Sequence, residues 1–279
     1  MFALKDLVDT LREQSLQNNK NHEIEWEFAE ETVPFDEAAF DKMQSDLLSF
    51  LVTENFPATM EKEDLVIELV ATQVEKLNGG KFQDFLKILD ANLGEEYLRI
   101  EGKKWKSHKL KEMKEEGLVY IELINQHSSE TIGFLSMKLV FDNEVLCVYL
   151  YEIQLLKEYT GLKIGSELMR HFHKLPGLIN IGLEANEDRP LDDEDDDMDD
   201  ADKSEITDLR NEKEKERIDF LKNYGKVEGC SLTVFTKNER ALKFYQGLGY
   251  IKADHSPRDK KLRNVRVVKP DYYIMFNYL

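Results

Sequence analysis

The first third of the chain has apolar residues at the spacing of amphipathic helices. The segments with this period are residues 2–16, 35–51, 65–77 and 82–93, and a lysine-rich amphipathic stretch follows at residues 95–116. Gly79 and Gly80 interrupt the pattern. We therefore expect a helical N-terminal extension over residues 1–80 and a second domain over residues 81–279.

From Leu118 onward the pattern changes to short apolar runs that are typical of strands. Three runs, at residues 118–124, 131–141 and 145–156, are separated by polar turns and predict an antiparallel meander. A glycine-containing loop at residues 157–165 then leads into a helix predicted for residues 166–174.

Strands and helices alternate in the C-terminal part. A strand is predicted at residues 230–235, a helix at 238–248 and a last strand at 272–278. A meander followed by this alternation predicts an α/β fold, with a mixed, mostly antiparallel twisted sheet flanked by helices and at least one right-handed crossover.

The composition is that of a globular protein without a membrane span. The chain has 279 residues, of which 41% are hydrophobic, and this is enough to bury a core. Its apolar runs are too short for a transmembrane helix, and acids near the N-terminus are unlike a signal peptide, so we expect neither membrane insertion nor secretion. Cys147 and Cys230 lie in apolar runs without metal-ligand spacing, which predicts reduced core cysteines and no metal site.

Acidic residues dominate the charge of the chain. The formal net charge is -18, and eleven acids lie between Glu187 and Asp202. This balance argues against nucleic-acid binding and favours cationic partners. Residues 184–217 contain few large apolar side chains, so we expect an acidic, disordered insertion there. It could attract a basic partner or only keep the protein soluble.

The strand, loop and helix at residues 145–174 form a candidate anion site, because free backbone N–H groups collect at the start of a helix. Many such units bind nothing, so the second signal comes from the segment CSLTVFTKNERALKFYQGLGY. It contains the pattern N-x-x-A-x-x-F-Y-x-x-x-G-Y, at Asn238, Ala241, Phe244, Tyr245, Gly249 and Tyr250. This pattern resembles the signature of the GNAT acetyltransferases.

Further stretches are similar to the NatD family of N-alpha-acetyltransferases within the GNAT superfamily. They are YLYEIQL at residues 149–155, LTVFTKN at 232–238 and the tail through YYIM at 272–275. The resemblance runs from Tyr97 to the end of the chain. It implies acetyl-CoA as cosubstrate, without a metal, and direct attack in a ternary complex by the N-terminal amine of histones that begin Ser-Gly-Arg-Gly, histone four and the 2A type. Basic histone tails would then be the partners.

The cofactor loop departs from the GNAT pattern R/Q-x-x-G-x-G/A. Thr160 stands at the Arg or Gln position and Lys163 at the first glycine, and only Gly165 fits. This departure predicts weaker cofactor binding, unless Gly161 serves in a rebuilt loop. By resemblance, the cofactor-binding residues are Ile153, Leu155, Thr160, Gly161, Lys163, Ile164, Gly165, Asn238 and Tyr245.

Glu152 interrupts the third apolar strand and is the candidate general base, next to the splayed strand end where GNAT catalysis occurs. Strict alternation would place Glu152 on the face opposite Tyr149 and Tyr151, but the resemblance implies a bulge that reorients them. The alternative is a solvated carboxylate at a sheet edge. Tyr151 and Tyr245 are the other candidate catalytic residues, Tyr245 as an acid for the leaving thiolate, or both are plain packed aromatics.

The resemblance also implies a substrate pocket. Its candidate residues are Tyr97, Asp142, Tyr149, Tyr151, Glu152 and Tyr272. Asp142, with Glu144, precedes the catalytic strand and could pair with a substrate Arg; ordinary turn acids are the alternative.

Two other functions stay open at this point. One is GNAT acetylation of a different amine, a Lys side chain or a polyamine. The other is a non-catalytic acidic histone-binding module whose cofactor loop has lost binding. We expect a monomer that is present in nucleus and cytoplasm.

Overall fold

An eight-stranded sheet with helices on both faces forms the centre of the molecule. The computed structural model describes residues 36–184, 200–261 and 267–279. Its helices are α1 (Glu37–Asn55), α2 (Gly79–Glu101), α3 (Trp105–Glu112), α4 (Ile164–Phe172), α5 (Leu175–Glu184), α6 (Asp200–Tyr224) and α7 (Glu239–Gly247). Its strands are β1 (Thr59–Lys62), β2 (Leu65–Gln73), β3 (Val119–Asn125), β4 (Glu130–Asp142), β5 (Val145–Leu155), β6 (Gly229–Phe235), β7 (Ile251–Lys252), β8 (Lys260–Lys261), β9 (Val267–Val268) and β10 (Tyr272–Tyr278).

The strand order in the main sheet is β1-β2-β3-β4-β5-β6-β10-β7, and β8 pairs with β9 separately. Neighbouring strands run antiparallel except β5 and β6, which run parallel. The predicted fold class, a mixed and mostly antiparallel sheet flanked by helices, is confirmed. The strands predicted from the meander and from the C-terminal part agree with β3, β4, β5, β6 and β10 to within one residue.

A hydrophobic core lies on each face of the sheet. Helices α1, α4, α5, α6 and α7 cover one face, where Leu48, Ile121 and Leu168 are fully buried. Helices α2 and α3 cover the other, where the rings of Phe85 and Phe134 stack with centroids 4.5 Å apart. Burying one such side chain stabilises the fold by roughly 1.5–3 kcal/mol, so both helical layers are held firmly to the sheet.

The prediction of a helix at residues 65–77 is wrong. Leu65–Gln73 is β2, which pairs antiparallel with β1 and β3. Its β-branched residues favour extended backbone, and an apolar spacing that suits one helix face also suits a half-buried strand. Within residues 36–80, β1 and β2 widen the main sheet and α1 packs into its core, so this described part is neither wholly helical nor separate from the sheet. The helix predicted at residues 2–16 lies outside the described residues.

The predicted disordered insertion is also partly wrong. From Asp200 the chain is helical as far as Tyr224, whereas residues 185–199 lie outside the described part. Phe220 and Leu221 are buried near the end of α6, and the Phe220 ring lies 5.8 Å from the ring of Phe40 in α1. Burying these side chains offsets the entropy of ordering a helix whose first turns are almost wholly polar.

Cys147 and Cys230 are free and buried, in agreement with the prediction of core cysteines. The lysine-rich stretch at residues 95–116 is divided at Gly102, whose φ of 74° ends α2 before α3 begins. Across the described ranges, every helix is too short or too polar to cross a membrane.

Candidate active site

The parallel strands β5 and β6 pair only over a short distance. Val148, Tyr149 and Leu150 pair with residues 230–232, and beyond them the two strands diverge. Strand β5 runs on to Leu155 while it stays paired with β4 on its other edge. A cavity of about 720 Å³ lies at this divergence, between β5, β6 and the surrounding helices.

A bulge in β5 determines which side chains face this cavity. Ser136 pairs with Glu152 but the next residue, Met137, pairs with Leu150, so Tyr151 is an extra residue on β5. Leu150 packs in the core beneath α4, whereas Tyr151 packs against the core beneath α2. Glu152 contacts α2 as well, so two consecutive side chains lie on one side of the sheet. The bulge implied by the resemblance is present.

Glu152 is a buried and fully engaged carboxylate, 7% exposed. Lys109 Nζ lies 2.5 Å from Glu152 Oε1 and also pairs with Glu112. Tyr97 Oη donates to Oε1 at 3.2 Å, and Gln154 Nε2 donates to Oε2 at 2.8 Å. The alternative of a solvated edge carboxylate is therefore wrong.

Burial and neighbouring charges shift the pKa values of Lys109, Glu112 and Tyr97, which surround Glu152. Burial opposes the charge on Lys109, but the carboxylates of Glu112 and Glu152 hold its pKa well above the ordinary value. Burial raises the pKa of Glu112, although Lys109 works in the other direction. Burial likewise raises the pKa of Tyr97, which remains a neutral phenol and can donate a hydrogen bond.

Three further tyrosines line the cavity in their neutral form. Tyr149 Oη lies 2.5 Å from Thr233 Oγ1, and the Tyr149 and Tyr151 rings meet edge to face at 5.2 Å. Burial raises the pKa of both, and also that of Tyr245, whose side chain extends from α7. Each phenol is thus a hydrogen-bond donor near pH 7.

The loop before α4 has the backbone that glycine usually provides. Lys163 has a φ of 61° and Gly161 a φ of 89°, both left-handed. For a side chain such as that of Lys163 this conformation costs about 1–2 kcal/mol. The N–H groups at the start of α4 have no intrahelical partner, and Gly165 and Ser166 border the cavity there. The N-terminus of α4 therefore gives this end of the cavity a partial positive charge.

The cavity is charged with opposite signs on its two sides. Lys157, Lys163 and Arg240 line it beside the loop and α7. Three carboxylates line it beside α2, α3 and β5, those of Glu101, Glu112 and Glu152. Lys109 pairs with the last two. Among the described residues, no three His, Cys, Asp or Glu side chains form a group that could hold a metal ion.

The cavity brings together nearly all residues predicted for the site. All of the predicted cofactor-binding residues line it, and so do Tyr97, Tyr149, Tyr151, Glu152 and Tyr272.

Asp142 is the exception among the predicted site residues, because it does not line the cavity. Its carboxylate accepts a hydrogen bond from Ser231 Oγ at 2.6 Å and lies 2.8 Å from His255 Nε2. The side chains of Ser231 and His255 are therefore the partners of the Asp142 carboxylate.

Sequence reasoning missed Lys109 and Glu112, which lie in the lysine-rich stretch. Helical spacing offered one signal, because Lys109 comes four residues after the buried Trp105 and so lies on the same face of α3. Gln154 and Asn92 were also missed. Asn92 Nδ2 lies 2.9 Å from Gln154 Oε1, and this contact orients the amide that donates to Glu152.

The chain shows distant sequence similarity to a known protein. No family profile matches it. It is similar to N-alpha-acetyltransferase 40 of Saccharomyces cerevisiae, with 24% identity over 221 residues, which are 76% of this chain and 61% of that protein. The chain thus spans less than two thirds of this curated relative.

Two solved structures are similar at low identity. One is the PaiA N-acetyltransferase of Thermoplasma acidophilum in complex with coenzyme A, with 15% identity, a TM-score of 0.39 and coverage of 76% of this chain and 99% of that chain. The other is NAA60 of Arabidopsis thaliana in complex with acetyl-CoA, with 13% identity, a TM-score of 0.40 and coverage of 76% and 99%.

The strand order, the bulge and the short parallel β5–β6 contact decide the fold. The described residues have the GNAT fold. Its loop-helix unit and its signature helix meet at the cavity, where Gly165 faces Phe244 of α7.

Asn238 of the GNAT signature also caps α7, since its Oδ1 accepts the Ala241 N–H at 3.1 Å. Asn238→Ala should lower the free energy of unfolding by about 1 kcal/mol, because the N–H loses its acceptor. Asn238→Asp keeps an acceptor and should stay close to wild type. Urea denaturation of the three proteins tests this, and equal stability of the Ala variant and wild type would contradict the cap.

Proposed function

We propose that this chain is an acetyl-CoA-dependent N-alpha-acetyltransferase whose substrate is the N-terminal amine of histones beginning Ser-Gly-Arg-Gly, histone four and the 2A type. The supporting observation is the cavity at the β5–β6 divergence. It has a helix N-terminus and basic side chains on one side and a buried, hydrogen-bonded carboxylate on the other. An anionic cosubstrate and a cationic amine can therefore bind in one cavity.

The cationic side of the cavity fits acetyl-CoA by the chemistry of its residues. The N–H groups at the start of α4 suit a pyrophosphate, and Lys157, Lys163 and Arg240 add positive charge. Beyond Leu150, β5 has left its pairing with β6, so backbone groups on that edge can bind an amide-bearing chain. When bound, acetyl-CoA supplies an activated acetyl thioester.

The other residues have roles in binding the amine and moving its proton. Glu152 attracts the substrate ammonium and accepts its proton, directly or through water. Tyr97 and Gln154 hold the carboxylate in place through their hydrogen bonds. Tyr245, neutral because it is buried, can donate a proton to the leaving thiolate.

An N-terminal amine suits this site better than a Lys side chain. The pKa of an N-terminal amine is about 7.7–8.0, and that of a Lys side chain is about 10.4. Removing the proton from the N-terminal amine therefore costs roughly 3.4 kcal/mol less. The lower cost suits a site whose proton acceptor is already paired with a lysine. The carboxylates of Glu101 and Glu112 favour a basic residue after the amine. Similarity to a protein named N-alpha-acetyltransferase supports the same choice.

The proposed chemistry predicts turnover on a free N-terminus only. Coenzyme A release is measured with acetyl-CoA and a Ser-Gly-Arg-Gly-Lys peptide, beside the same peptide with a blocked N-terminus. Glu152→Gln should lower kcat/KM by at least about 100-fold on the free peptide, because it removes the proton acceptor.

Glu122→Gln is the matched control for this assay. Glu122, on strand β3, is also a buried carboxylate and pairs with Lys81 of α2 at 2.5 Å, but it does not line the cavity. Its variant should retain kcat/KM. Activity on the blocked peptide would indicate a side-chain acetyltransferase. Absence of turnover together with absence of acetyl-CoA binding would indicate a histone-binding module.

The Ser166→Asp variant should weaken coenzyme A binding without destabilising the fold. Asp in the first turn of α4 interacts favourably with the helix dipole, by about 0.3–1 kcal/mol, but repels a phosphate at the same N–H groups. We expect undiminished stability and a Kd for coenzyme A raised by at least about tenfold, a loss of about 1.4 kcal/mol. Calorimetric titration measures the Kd, with Ser166→Ala as the control. Unchanged affinity in the Asp variant would place the phosphates elsewhere.

A further inference from the structure

Lys109 occupies an unusual position for a lysine. It is 4% exposed, and its Nζ lies between the carboxylates of Glu112 and Glu152. It also lies 5.4 Å from the centre of the Tyr97 ring, which is itself hydrogen bonded to Glu152. All four of these residues line the cavity.

A half-buried lysine elsewhere in the chain provides a comparison. Lys138 pairs with Asp41 at 2.8 Å, and both side chains are 12% exposed. That pair has one cation for one anion and lies away from the cavity. Lys109, by contrast, contacts two carboxylates, and Lys109, Glu112 and Glu152 together form a triad beside the cavity.

The hydrogen bonds of Glu152 leave room for one more donor. A carboxylate has about four acceptor positions, two on each oxygen. Lys109 and Tyr97 occupy Oε1, and Gln154 donates to Oε2. One position on Oε2 therefore remains for a substrate amine or a water molecule.

We propose that Lys109 is a positioning residue of the active site: it keeps the Glu152 carboxylate ionised and turned so that Oε2 can accept a proton, while Glu112 balances its charge. This inference rests on the proposed function, in which Glu152 is the proton acceptor. Without the ammonium group, the buried carboxylate of Glu152 and the half-buried carboxylate of Glu112 would repel each other, which favours protonation of one of them.

Four tyrosines and a further glutamate lie around the triad. Tyr97 from α2, Tyr120 from β3, Tyr151 from β5 and Tyr245 from α7 all have a pKa raised by burial, so they are neutral. Glu115, which accepts from Tyr151 Oη at 3.4 Å, adds a further negative charge. Lys109 is the cation that these contacts place against Glu152.

The direct test follows the ionisation of Glu152 by carbon NMR of ¹³C-labelled glutamate, with the Glu152 signal assigned from Glu152→Gln. Removing a cation next to a carboxylate raises its pKa, so Lys109→Met should move the midpoint to higher pH by at least about one unit. The acidic limb of kcat/KM should move with it. Lys109→Arg keeps the charge and should leave the midpoint close to that of wild type.

Lys138→Met is the matched control, because it also breaks a lysine–carboxylate pair of low exposure but should leave the Glu152 midpoint unchanged. If Lys109→Met does not fold, Lys109→Met combined with Glu112→Gln removes the like-charge repulsion, and its midpoint should still lie above wild type. A midpoint that stays at the wild-type pH in either variant would overturn the role of Lys109. The titration needs no turnover, so failure of the proposed acetylation would be seen separately, as a wild-type protein inactive on every free N-terminus.

Discussion

The separation of β5 from β6 after only three paired residues is the constraint on which the site depends. Two parallel strands that stayed paired would fill this space with backbone hydrogen bonds and leave no cavity. Because β4 continues to pair with the other edge of β5, the strand remains rigid where it leaves its partner. The site is thus built on a fixed strand edge, which can hold reacting groups more closely than a loop can.

The bulge at Tyr151 complements this separation. It places Tyr151 and Glu152 on the same side of β5, toward α2 and α3, where the triad with Lys109 and Glu112 forms. On the other side, Gly161 and Lys163 give the loop before α4 its left-handed turns. The two halves of the proposed chemistry, anion binding and proton transfer, therefore depend on different elements that meet at one strand.

Local pattern predicted the sheet well, because β3 and β4 are buried on both faces over most of their length and therefore have short continuous apolar runs. It failed at β2, where apolar spacing suits both a helix and a half-buried strand, and only pairing with β3 decides between them. It failed again at α6, whose order comes from two apolar side chains near its end. Charged composition alone could not show that these would be buried.

The motifs predicted most of the cavity lining but not its electrostatics. The GNAT signature led to Tyr245 and the YLYEIQL stretch led to Glu152, and both residues line the cavity. Lys109 was hidden among exposed lysines, because its burial depends on how α3 packs against β5. Asp142, predicted from its place in the turn, lies outside the cavity lining, and its carboxylate contacts Ser231 and His255.

The central claim is that the cavity holds both substrates at once, with the amine at Glu152. A crystal structure with a bisubstrate analogue, coenzyme A linked through an acetyl group to the amine of Ser-Gly-Arg-Gly, tests this most directly. The account predicts the pyrophosphate at the N-terminus of α4 and the linked nitrogen within reach of Glu152 Oε2, directly or through one water. A peptide bound away from β5, or phosphates away from the Gly161–Gly165 loop, would contradict it.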